Sequence, residues 1–280
     1  MTIPDILQQI VATKKEEVAA AKGRVSEEDL RSRVAAMEAG GAGPRNFFAA
    51  VSREPEGGGL VNVIAEVKKS SPSAGVMKED FDPVAVAKMY EAAGADALSV
   101  LTDEKYFGGK LEYIAAVKEA VRLPVLRKDF IIDPYQVWEA RAAGADAILL
   151  IAEILTDSLM IDLQILAAEL RLTTLIEVHE LDSLLRVRST IGFPLRSYSL
   201  LGINNRDLRT FTVDLNTTVR LAEFVEDKQV LVAESGIRDR SDVQRMAAAG
   251  VRTLLIGETL MRSGDVGGTM ANLKGIFRRV

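Results

Sequence analysis

The sequence predicts an α/β protein, a (β/α)8 TIM barrel with an N-terminal helical extension. Its 280 residues suit one large barrel domain, because barrels of this kind run to about 250 residues as a single unit. Short apolar runs alternate with amphipathic stretches over most of the chain, and one six-residue motif is repeated. Strands separated by helices pair in parallel through crossover connections, so this alternation predicts a parallel sheet.

The predicted strands are short runs rich in leucine and β-branched residues. Each is followed by a stretch with the 3.6-residue periodicity of an amphipathic helix. Eight such units close into a barrel more readily than they form an open sheet. The strands are predicted at 61–67, 96–101, 124–128, 146–152, 173–178, 199–204, 229–234 and 252–256.

An internal repeat supports the regular alternation. The motif Ala-Ala-Gly-Ala-Asp-Ala occupies residues 92–97 and again residues 142–147, two predicted strand–helix units later. In each copy a helix would end at the glycine and a strand would begin at once. An open doubly wound sheet remains an alternative. It would usually carry a glycine-rich turn after the first strand, where this sequence has Lys-Ser-Ser-Pro.

Residues 1–59 are predicted to be a helical extension packed on the barrel, and residues 60–280 to be the catalytic barrel. Apolar residues between Ile3 and Val11 recur at helical spacing, which predicts an amphipathic helix that docks on the body or acts as a lid. The run Lys-Lys-Glu-Glu at 14–17 is predicted to be a solvated face of that helix.

Composition excludes several function classes. A net charge of −5 argues against nucleic acid as the main partner, although a few local cations can still bind a small anion. No apolar run approaches the roughly 18 residues of a membrane span. Without cysteine there is no disulfide, zinc–thiolate site or cysteine nucleophile, which suits a cytoplasmic location. The single histidine, His179, rules out multi-histidine metal sites and is predicted to be a loop residue with a polar contact.

Polar residues stand where the predicted strands end. Barrel active sites lie at the carboxyl ends of the strands, so these residues are candidates for chemistry. Alternation along a strand puts Glu66 and Lys68 on one face, and it turns Lys128 and Glu177 toward the predicted interior. Unpaired charges withdrawn from water cost several kcal/mol each, so such a cluster is a poor way to stabilise a core. A solvated rim of ion pairs remains the alternative.

A second constellation follows the last two predicted strands. Ser235 and Gly236 follow one strand, and Gly257 and Glu258 follow the other. Glycine lets backbone N–H groups approach an anion closely, and these two loops often form the phosphate site of a barrel. Ordinary strand-to-helix turns remain the alternative. Ser71, after the first strand, would add a hydroxyl to the same region.

Several segments resemble those of indole-3-glycerol-phosphate synthases. They occur in order, from the first helix to Leu260-Met261, and the segments at 64–73 and 125–133 are the most specific. The resemblance implies the substrate 1-(2-carboxyphenylamino)-1-deoxyribulose 5-phosphate and its ring closure with loss of carbon dioxide and water. It implies no cofactor and no metal. The matching segments are 64–73, 99–103, 106–109, 125–133, 175–179, 202–208 and 233–237.

The resemblance also implies roles for individual residues. Lys128 would protonate the substrate carbonyl, Lys68 would pair with the anthranilate carboxylate and assist dehydration, and Glu177 would stabilise the iminium charge or act as base. A lysine near other cations in a dry pocket would have a pKa lowered toward neutral, which predicts such a pKa for Lys128. The remaining implied residues are Glu66 and Asn204 at the hydroxyls, Arg206 for orientation, Glu234 as support, and Phe107 and Phe130 along the aryl ring.

For the phosphate, the resemblance implies Ser71, Ser235, Gly236, Gly257 and Glu258. Position 258 departs from the family, whose members carry serine there. A carboxylate beside a phosphate is unfavourable unless it points away, so only the backbone N–H of Glu258 is assigned.

Three other kinds of barrel protein are alternatives to this family. Phosphoribosylanthranilate isomerases use a cysteine base, which this chain lacks. Tryptophan synthase alpha chains have no lysines that match Lys68 and Lys128. A non-catalytic barrel that senses a phosphorylated ligand would not need Lys68, Lys128 and Glu177 together. The predicted partner is thus a phosphorylated small molecule, with no nucleic acid and no membrane, and the chain is expected to be a monomer.

Overall fold

A computed structural model describes residues 5–72, 75–78, 80–207 and 209–275. Eight parallel strands form a closed barrel, in which β1 pairs on one side with β4 and on the other with β10. The barrel prediction is therefore confirmed and the open sheet is excluded. The barrel strands are β1 (Asn62–Val67), β4 (Ala97–Leu101), β5 (Val125–Lys128), β6 (Ala147–Ile151), β7 (Thr173–Val178), β8 (Ser199–Asn204), β9 (Leu231–Glu234) and β10 (Thr253–Ile256).

A small hairpin, which the sequence analysis did not predict, follows β1. Its two strands, β2 (Ser70–Ser71) and β3 (Gly75–Val76), pair in antiparallel fashion just beyond the carboxyl end of β1. At two residues each, they are too short for an alternating pattern of apolar and polar residues to reveal them. The hairpin places Ser71 beside the mouth of the barrel.

The helices fall into a leading group and an outer ring. The leading group is α1 (Asp5–Arg24), α2 (Glu27–Ala39) and α3 (Phe47–Ser52). The others follow the strands: α4 (Pro83–Ala92), α5 (Glu104–Phe107), α6 (Glu112–Ala120), α7 (Pro134–Ala142), α8 (Asp157–Glu169), α9 (Leu181–Val187), α10 (Asn216–Ala222), α11 (Arg240–Ala248), α12 (Glu258–Met261) and α13 (Val266–Lys274). None of the helices in the described ranges is long and apolar enough to cross a membrane.

The repeated motif has a structural explanation. Gly94 and Gly144 end α4 and α7 with φ values of +88° and +92°, a left-handed conformation that glycine adopts without a steric penalty. The aspartate two residues later turns back to the preceding barrel strand. Asp96 accepts the backbone N–H of Val63 at 2.7 Å, and Asp146 accepts that of Val125 at 2.7 Å. Each copy therefore ties the start of one strand to its neighbour.

The barrel interior is apolar at its amino end and polar at its carboxyl end. Inward residues such as Ile64, Leu126 and Leu175 are fully buried and pack against one another. The next inward positions on the same strands are Glu66, Lys128 and Glu177, as strand alternation requires. The last layer of this interior is therefore charged.

Helix α1 packs across the mouth of the barrel, as a docking helix would. Leu7 and Ile10 are buried, whereas Ile3 lies outside the described residues. The prediction of a solvated face at 14–17 was wrong for Lys14, which is only 4% exposed. Its ammonium group lies 3.0 Å from carboxylate oxygens of both Asp103 and Asp129, and these two buried acids compensate the desolvation of the lysine.

Helices α2 and α3 occupy the rest of the extension. Helix α2, which was not predicted, begins with a capping box in which Ser26 and Asp29 each accept a hydrogen bond from the other residue's backbone N–H. Helix α3 closes the amino end of the barrel. Phe47 and Val51 are fully buried there, and the carbonyl of Val51 accepts hydrogen bonds from Asn62 and Thr253, which begin two barrel strands.

Candidate active site

A cavity of about 370 Å³ opens at the carboxyl ends of the strands. This volume is within the roughly 300–1,000 Å³ typical of small-molecule sites. All fourteen site residues predicted from the sequence contribute to its wall: Glu66, Lys68, Ser71, Phe107, Lys128, Phe130, Glu177, Asn204, Arg206, Glu234, Ser235, Gly236, Gly257 and Glu258. The alternative of a solvated ion-pair rim is wrong, since the side chains of Glu66, Glu177 and Glu234 are at most 6% exposed.

Lys128 occupies the centre of the polar floor. Its Nζ donates hydrogen bonds of 2.8 Å to Oε2 of Glu177 and 2.8 Å to Oε2 of Glu234. Lys128 ends β5, and the two glutamates come from β7 and β9, so closure of the barrel brings the three together. Both glutamate side chains are at most 4% exposed. The cluster is a buried, preorganised acid–base group.

The expected pKa of Lys128 was wrong in direction. Burial alone would lower the pKa of Lys128, but the charges of Glu177 and then Glu234 outweigh burial and hold that pKa above its ordinary value. Neighbouring cations would lower this pKa, but the groups within hydrogen-bond distance of Lys128 are carboxylates. Lys128 is therefore an ammonium ion at neutral pH.

The two glutamates differ in charge. Burial would raise the pKa of Glu177, but Lys128 and His179 outweigh it and lower that pKa below the ordinary range. For Glu234, burial raises the pKa, and the neighbouring charge of Glu177 raises it further against the opposing effect of Lys128. When one proton is shared between the two carboxyl groups, it therefore resides on Glu234.

Glu66 and Lys68 form a second acid–base pair at the end of β1. The ammonium of Lys68 contacts Oε1 of Glu66, with the two side chains 15% and 6% exposed. Gly257 leaves room for this carboxylate. A Cβ at position 257 would lie 2.3 Å from Oε1 of Glu66, so a side chain there would displace the glutamate.

On the β8 side of the mouth, Asn204 and Arg206 are linked. Oδ1 of Asn204 accepts the backbone N–H of Arg206 at 3.0 Å, which fixes the turn that follows the strand. The Arg206 guanidinium lies 3.8 Å from Oε2 of Glu258. The Glu258 side chain is 45% exposed and also pairs with Arg262 at 3.1 Å. Its carboxylate is thus held by arginines.

One wall of the cavity is apolar. The rings of Phe107 and Phe130 lie 6.0 Å apart between centroids, at an interplanar angle of 37°. Leu7 and Ile10 of α1 line the same cavity. An aromatic group could therefore pack between these side chains while its polar substituents face the lysines.

The loops after β9 and β10 bring backbone close to the cavity. Ser235 and Gly236 both have positive φ, +65° and +82°. A Cβ at position 236 would lie 2.2 Å from Cγ1 of Val213, so the chain passes this residue with no space for a side chain. This turn allows the peptide N–H groups near Gly236 to approach an anion, and Gly257, with no side chain, leaves the backbone after β10 open to the same region.

Sequence reasoning missed several residues at this site. The ion pair between Lys14 and Asp129 connects α1 to the end of β5, next to Lys128. Arg238 and Arg262 also line the cavity. The position of Asp129 directly after a candidate strand-end lysine was a usable signal. Lys14 gave none, because a lysine within a charged helical run is usually solvated.

His179 lies next to the site with its side chain 11% exposed, although it does not contribute to the cavity wall within the described residues. Its Nδ1 lies 3.1 Å from Oε2 of Glu153, and its Nε2 lies 3.4 Å from Oε1 of Glu177. The predicted polar contact therefore exists, and one of its two partners is a glutamate of the central cluster.

The fold and the site together define a (β/α)8-barrel enzyme with a buried acid–base cluster at the carboxyl ends of its strands. The profile of the indole-3-glycerol phosphate synthase family matches residues 7–273. The chain belongs to that family.

Curated relatives support the family, and solved structures support the fold. Indole-3-glycerol phosphate synthases from two strains of Acidithiobacillus ferrooxidans are each 49% identical over 269 residues, which is 96% of this chain and 98% of theirs. A 3-hexulose-6-phosphate synthase from Salmonella typhimurium has a TM-score of 0.62 at 15% identity and covers 77% of this chain and 98% of its own. At that identity the structural likeness shows the barrel fold alone.

Proposed function

We propose that this protein converts 1-(2-carboxyphenylamino)-1-deoxyribulose 5-phosphate into indole-3-glycerol phosphate, with release of carbon dioxide and water, as a step of tryptophan biosynthesis. Membership of the family supports the reaction. The structural observation that carries the proposal is the position of Lys128, whose ammonium is hydrogen-bonded to Glu177 and Glu234 on the floor of a cavity that Lys68 also lines. The reaction needs an acid, a base and a dry pocket in one place.

Ring closure requires a proton donor. As the aromatic carbon that bears the carboxylate attacks the substrate carbonyl carbon, the Lys128 ammonium donates a proton to the carbonyl oxygen, which becomes a hydroxyl. The raised pKa of Lys128 keeps it protonated before the reaction, and transfer is driven by the strongly basic oxygen that develops as the C–C bond forms. The ring nitrogen becomes an iminium, whose positive charge the Glu177 carboxylate stabilises.

Loss of carbon dioxide then restores the aromatic ring. We assign Lys68 to the substrate carboxylate before it leaves, with Phe107 and Phe130 packed against the aryl ring. In the following dehydration Lys68 donates a proton to the departing hydroxyl, which leaves as water, and Glu177 accepts the proton released on formation of the indole double bond. Glu66 and Asn204 hold the substrate hydroxyls.

The sugar phosphate would bind between the loops after β9 and β10 and the hairpin after β1. Arg206 orients the substrate and Glu234 supports Lys128. The phosphate-binding residues that we propose are Ser71, Ser235, Gly236, Gly257 and the backbone N–H of Glu258. The Glu258 carboxylate is held by Arg262 at 3.1 Å, which supports a role for its main chain only.

One assay tests the proposal directly. Purified protein is incubated with the carboxyphenylamino-deoxyribulose phosphate, and indole fluorescence is recorded over time. We expect the signal to rise without any added cofactor. No indole signal from folded protein would refute the proposed function.

The same assay with Lys128→Ala tests the assigned acid. Removal of a general acid costs about 10²–10⁴-fold in rate, so we expect kcat to fall by at least about a hundredfold while KM changes far less. The matched control is Lys15→Ala, at an exposed position of α1. Near-normal turnover by Lys128→Ala would remove Lys128 from the mechanism.

We further propose that the chain acts as a cytoplasmic monomer, with residues 1–59 as an extension packed on a catalytic barrel of residues 60–280. The absence of cysteine suits a reducing compartment. The site residues named here all come from one chain, so catalysis does not require a second copy. Light scattering after size-exclusion chromatography tests the monomer, and a mass near twice 30.4 kDa would contradict it.

A further inference from the structure

Glu153 and His179 form a largely buried pair behind the acid–base cluster, with side chains 9% and 11% exposed. Glu153 lies in the turn after β6, and its Oε1 accepts the backbone N–H of His179 at 3.0 Å. Its Oε2 lies 3.1 Å from Nδ1 of the same residue. With both oxygens of Glu153 in contact with one histidine, the imidazole ring has a fixed orientation. Its other nitrogen, Nε2, lies 3.4 Å from Oε1 of Glu177, at ion-pair distance but without a hydrogen bond.

The contacts of Lys128 do not distinguish the two glutamates of the cluster. Its Nζ is 2.8 Å from an oxygen of Glu177 and 2.8 Å from an oxygen of Glu234. His179 does distinguish them, because Nε2 lies 3.4 Å from Oε1 of Glu177, and no ion pair joins His179 to Glu234 in the described part of the chain. The histidine therefore provides the asymmetry of the site.

We infer that His179, held by Glu153, is a positioning residue that keeps the ionised carboxylate on Glu177 and the shared proton on Glu234. This inference rests on the proposed function, in which Glu177 must carry a negative charge to stabilise the iminium and accept a proton. A protonated Glu177 could do neither. His179 acts through Glu177, because its own ring does not line the cavity.

Three carboxyl groups face the imidazole from the elements packed around it: Glu153 after β6, Glu177 on β7 and Glu234 on β9. Burial alone would lower the pKa of His179, but Glu153 and then Glu177 outweigh burial and raise it. These carboxylates therefore favour the imidazolium form of the ring. Its positive charge stabilises the anionic form of its nearest cluster neighbour, Glu177.

The chain offers a direct measurement, since it contains one histidine. Protein without a histidine tag, labelled with ¹⁵N-histidine, gives imidazole NMR signals from His179 alone. We expect its titration midpoint to lie above the ordinary 6.5, and to fall toward that value in Glu177→Gln and in Glu153→Gln. Glu180→Gln, an exposed neighbour in sequence, is the matched control and should leave the midpoint unchanged.

Kinetics test the functional half of the inference. In His179→Gln the pKa of Glu177 should rise, so the acid limb of the kcat–pH profile, which lies well below neutral pH, should move to higher pH. At a pH on that limb kcat should fall about tenfold for each pH unit by which the limb moves, because one pKa unit changes the ionised fraction tenfold. At neutral pH, where Glu177 stays ionised in both proteins, kcat and KM should change little. Glu180→Gln should keep the original profile.

The outcomes separate this inference from the proposed function. A midpoint near 6.5 that is insensitive to Glu177→Gln would overturn the inference even if cyclase activity is present. An acid limb unchanged in folded His179→Gln would overturn it as well. If no cyclase activity is found, the proposed function fails, and the titration in Glu177→Gln still decides whether the pairing exists. If His179→Gln does not fold, the NMR measurements decide alone.

Discussion

At the scale of single residues, the site depends on which atoms are absent as much as on which are charged. Gly257 has no side chain where Oε1 of Glu66 must lie, and Gly202 has none where Oε1 of Glu234 lies. Both glycines face glutamates of the acid–base floor. Glycine is therefore required at these positions because the neighbouring carboxylates leave no room for a side chain. The backbone conformation of the two residues does not itself demand glycine.

Gly257→Ala tests this requirement. The added Cβ would lie 2.3 Å from Oε1 of Glu66, so the carboxylate must move and its contact with Lys68 must change. Displacement of a catalytic group by about 1 Å can cost about a hundredfold, and we expect a loss of that order in kcat/KM. Gly264→Ala, with open space around its Cβ, is the control. Equal activity of the two variants would contradict the steric argument.

Glu177→Gln and Glu234→Gln should differ in their effects. A glutamine cannot replace an ionised carboxylate, so Glu177→Gln should lower kcat by about 10²–10⁴-fold. A glutamine resembles a protonated carboxyl group more closely, because both donate a hydrogen bond. The loss of kcat in Glu234→Gln should therefore be at least about tenfold smaller than the loss in Glu177→Gln. Steady-state kcat values at pH 7 compare the two, and the reverse order would contradict the assignment of the proton to Glu234.

The position of most site residues could be predicted from sequence, but their electrostatics could not. Strand alternation placed Glu66, Lys128 and Glu177 on the inner face, since each has an apolar residue two positions earlier on its strand. The pKa of Lys128 depends on which charges come within 3 Å across the barrel. That neighbourhood forms only when β5, β7 and β9 are closed into one ring.

At the scale of elements, α1 is held on the barrel by a buried charge as well as by apolar contacts. Lys14 reaches Asp103 after β4 and Asp129 after β5. Asp129 also pairs with Arg127 at 3.0 Å and accepts a hydrogen bond from Thr102. The helix is therefore anchored to the residue adjacent to the proposed acid. Sequence could not reveal this, because the ion pair joins positions about a hundred residues apart.

Lys14→Met should loosen that anchor. Two buried aspartates would lose a cation, and breaking one side of a buried ion pair costs about 3–5 kcal/mol. Because Asp103 and Asp129 keep other hydrogen bonds, we expect the lower end of that range. The free energy of unfolding, measured by urea denaturation, should fall by about 3 kcal/mol. KM should rise, since Leu7 and Ile10 line the cavity. Lys15→Met, on the exposed side, is the control, and equal stability of the two variants would contradict the anchor.

At the scale of the whole molecule, the barrel depends on α3 to fill its amino end. Phe47 and Val51 pack in one cluster with inward residues of the strands, such as Ile64 and Val232. The sequence predicts that residues 1–59 pack on the barrel, but the place of α3 under the barrel is a long-range packing relation that no local pattern encodes.

Phe47→Ala should destabilise the whole protein with little change to chemistry. A buried phenylalanine replaced by alanine typically costs about 3–5 kcal/mol, because the lost contacts leave a cavity. We expect the free energy of unfolding, measured by thermal or urea unfolding, to fall by an amount in that range. The kcat of the folded fraction should be nearly unchanged. Phe224→Ala, at a side chain that is 47% exposed, is the control. A stability loss no larger than that of the control would show that α3 is not part of the core.

Because α3 fills the amino end of the barrel, it also determines where substrate enters and product leaves. With α3 occupying one end in the described part of the chain, reactant and products must share the opposite opening, over which α1 lies. A molecule of indole-3-glycerol phosphate has to depart before its successor can enter. Product should therefore compete with substrate, raising the apparent KM while leaving the maximal rate unaltered.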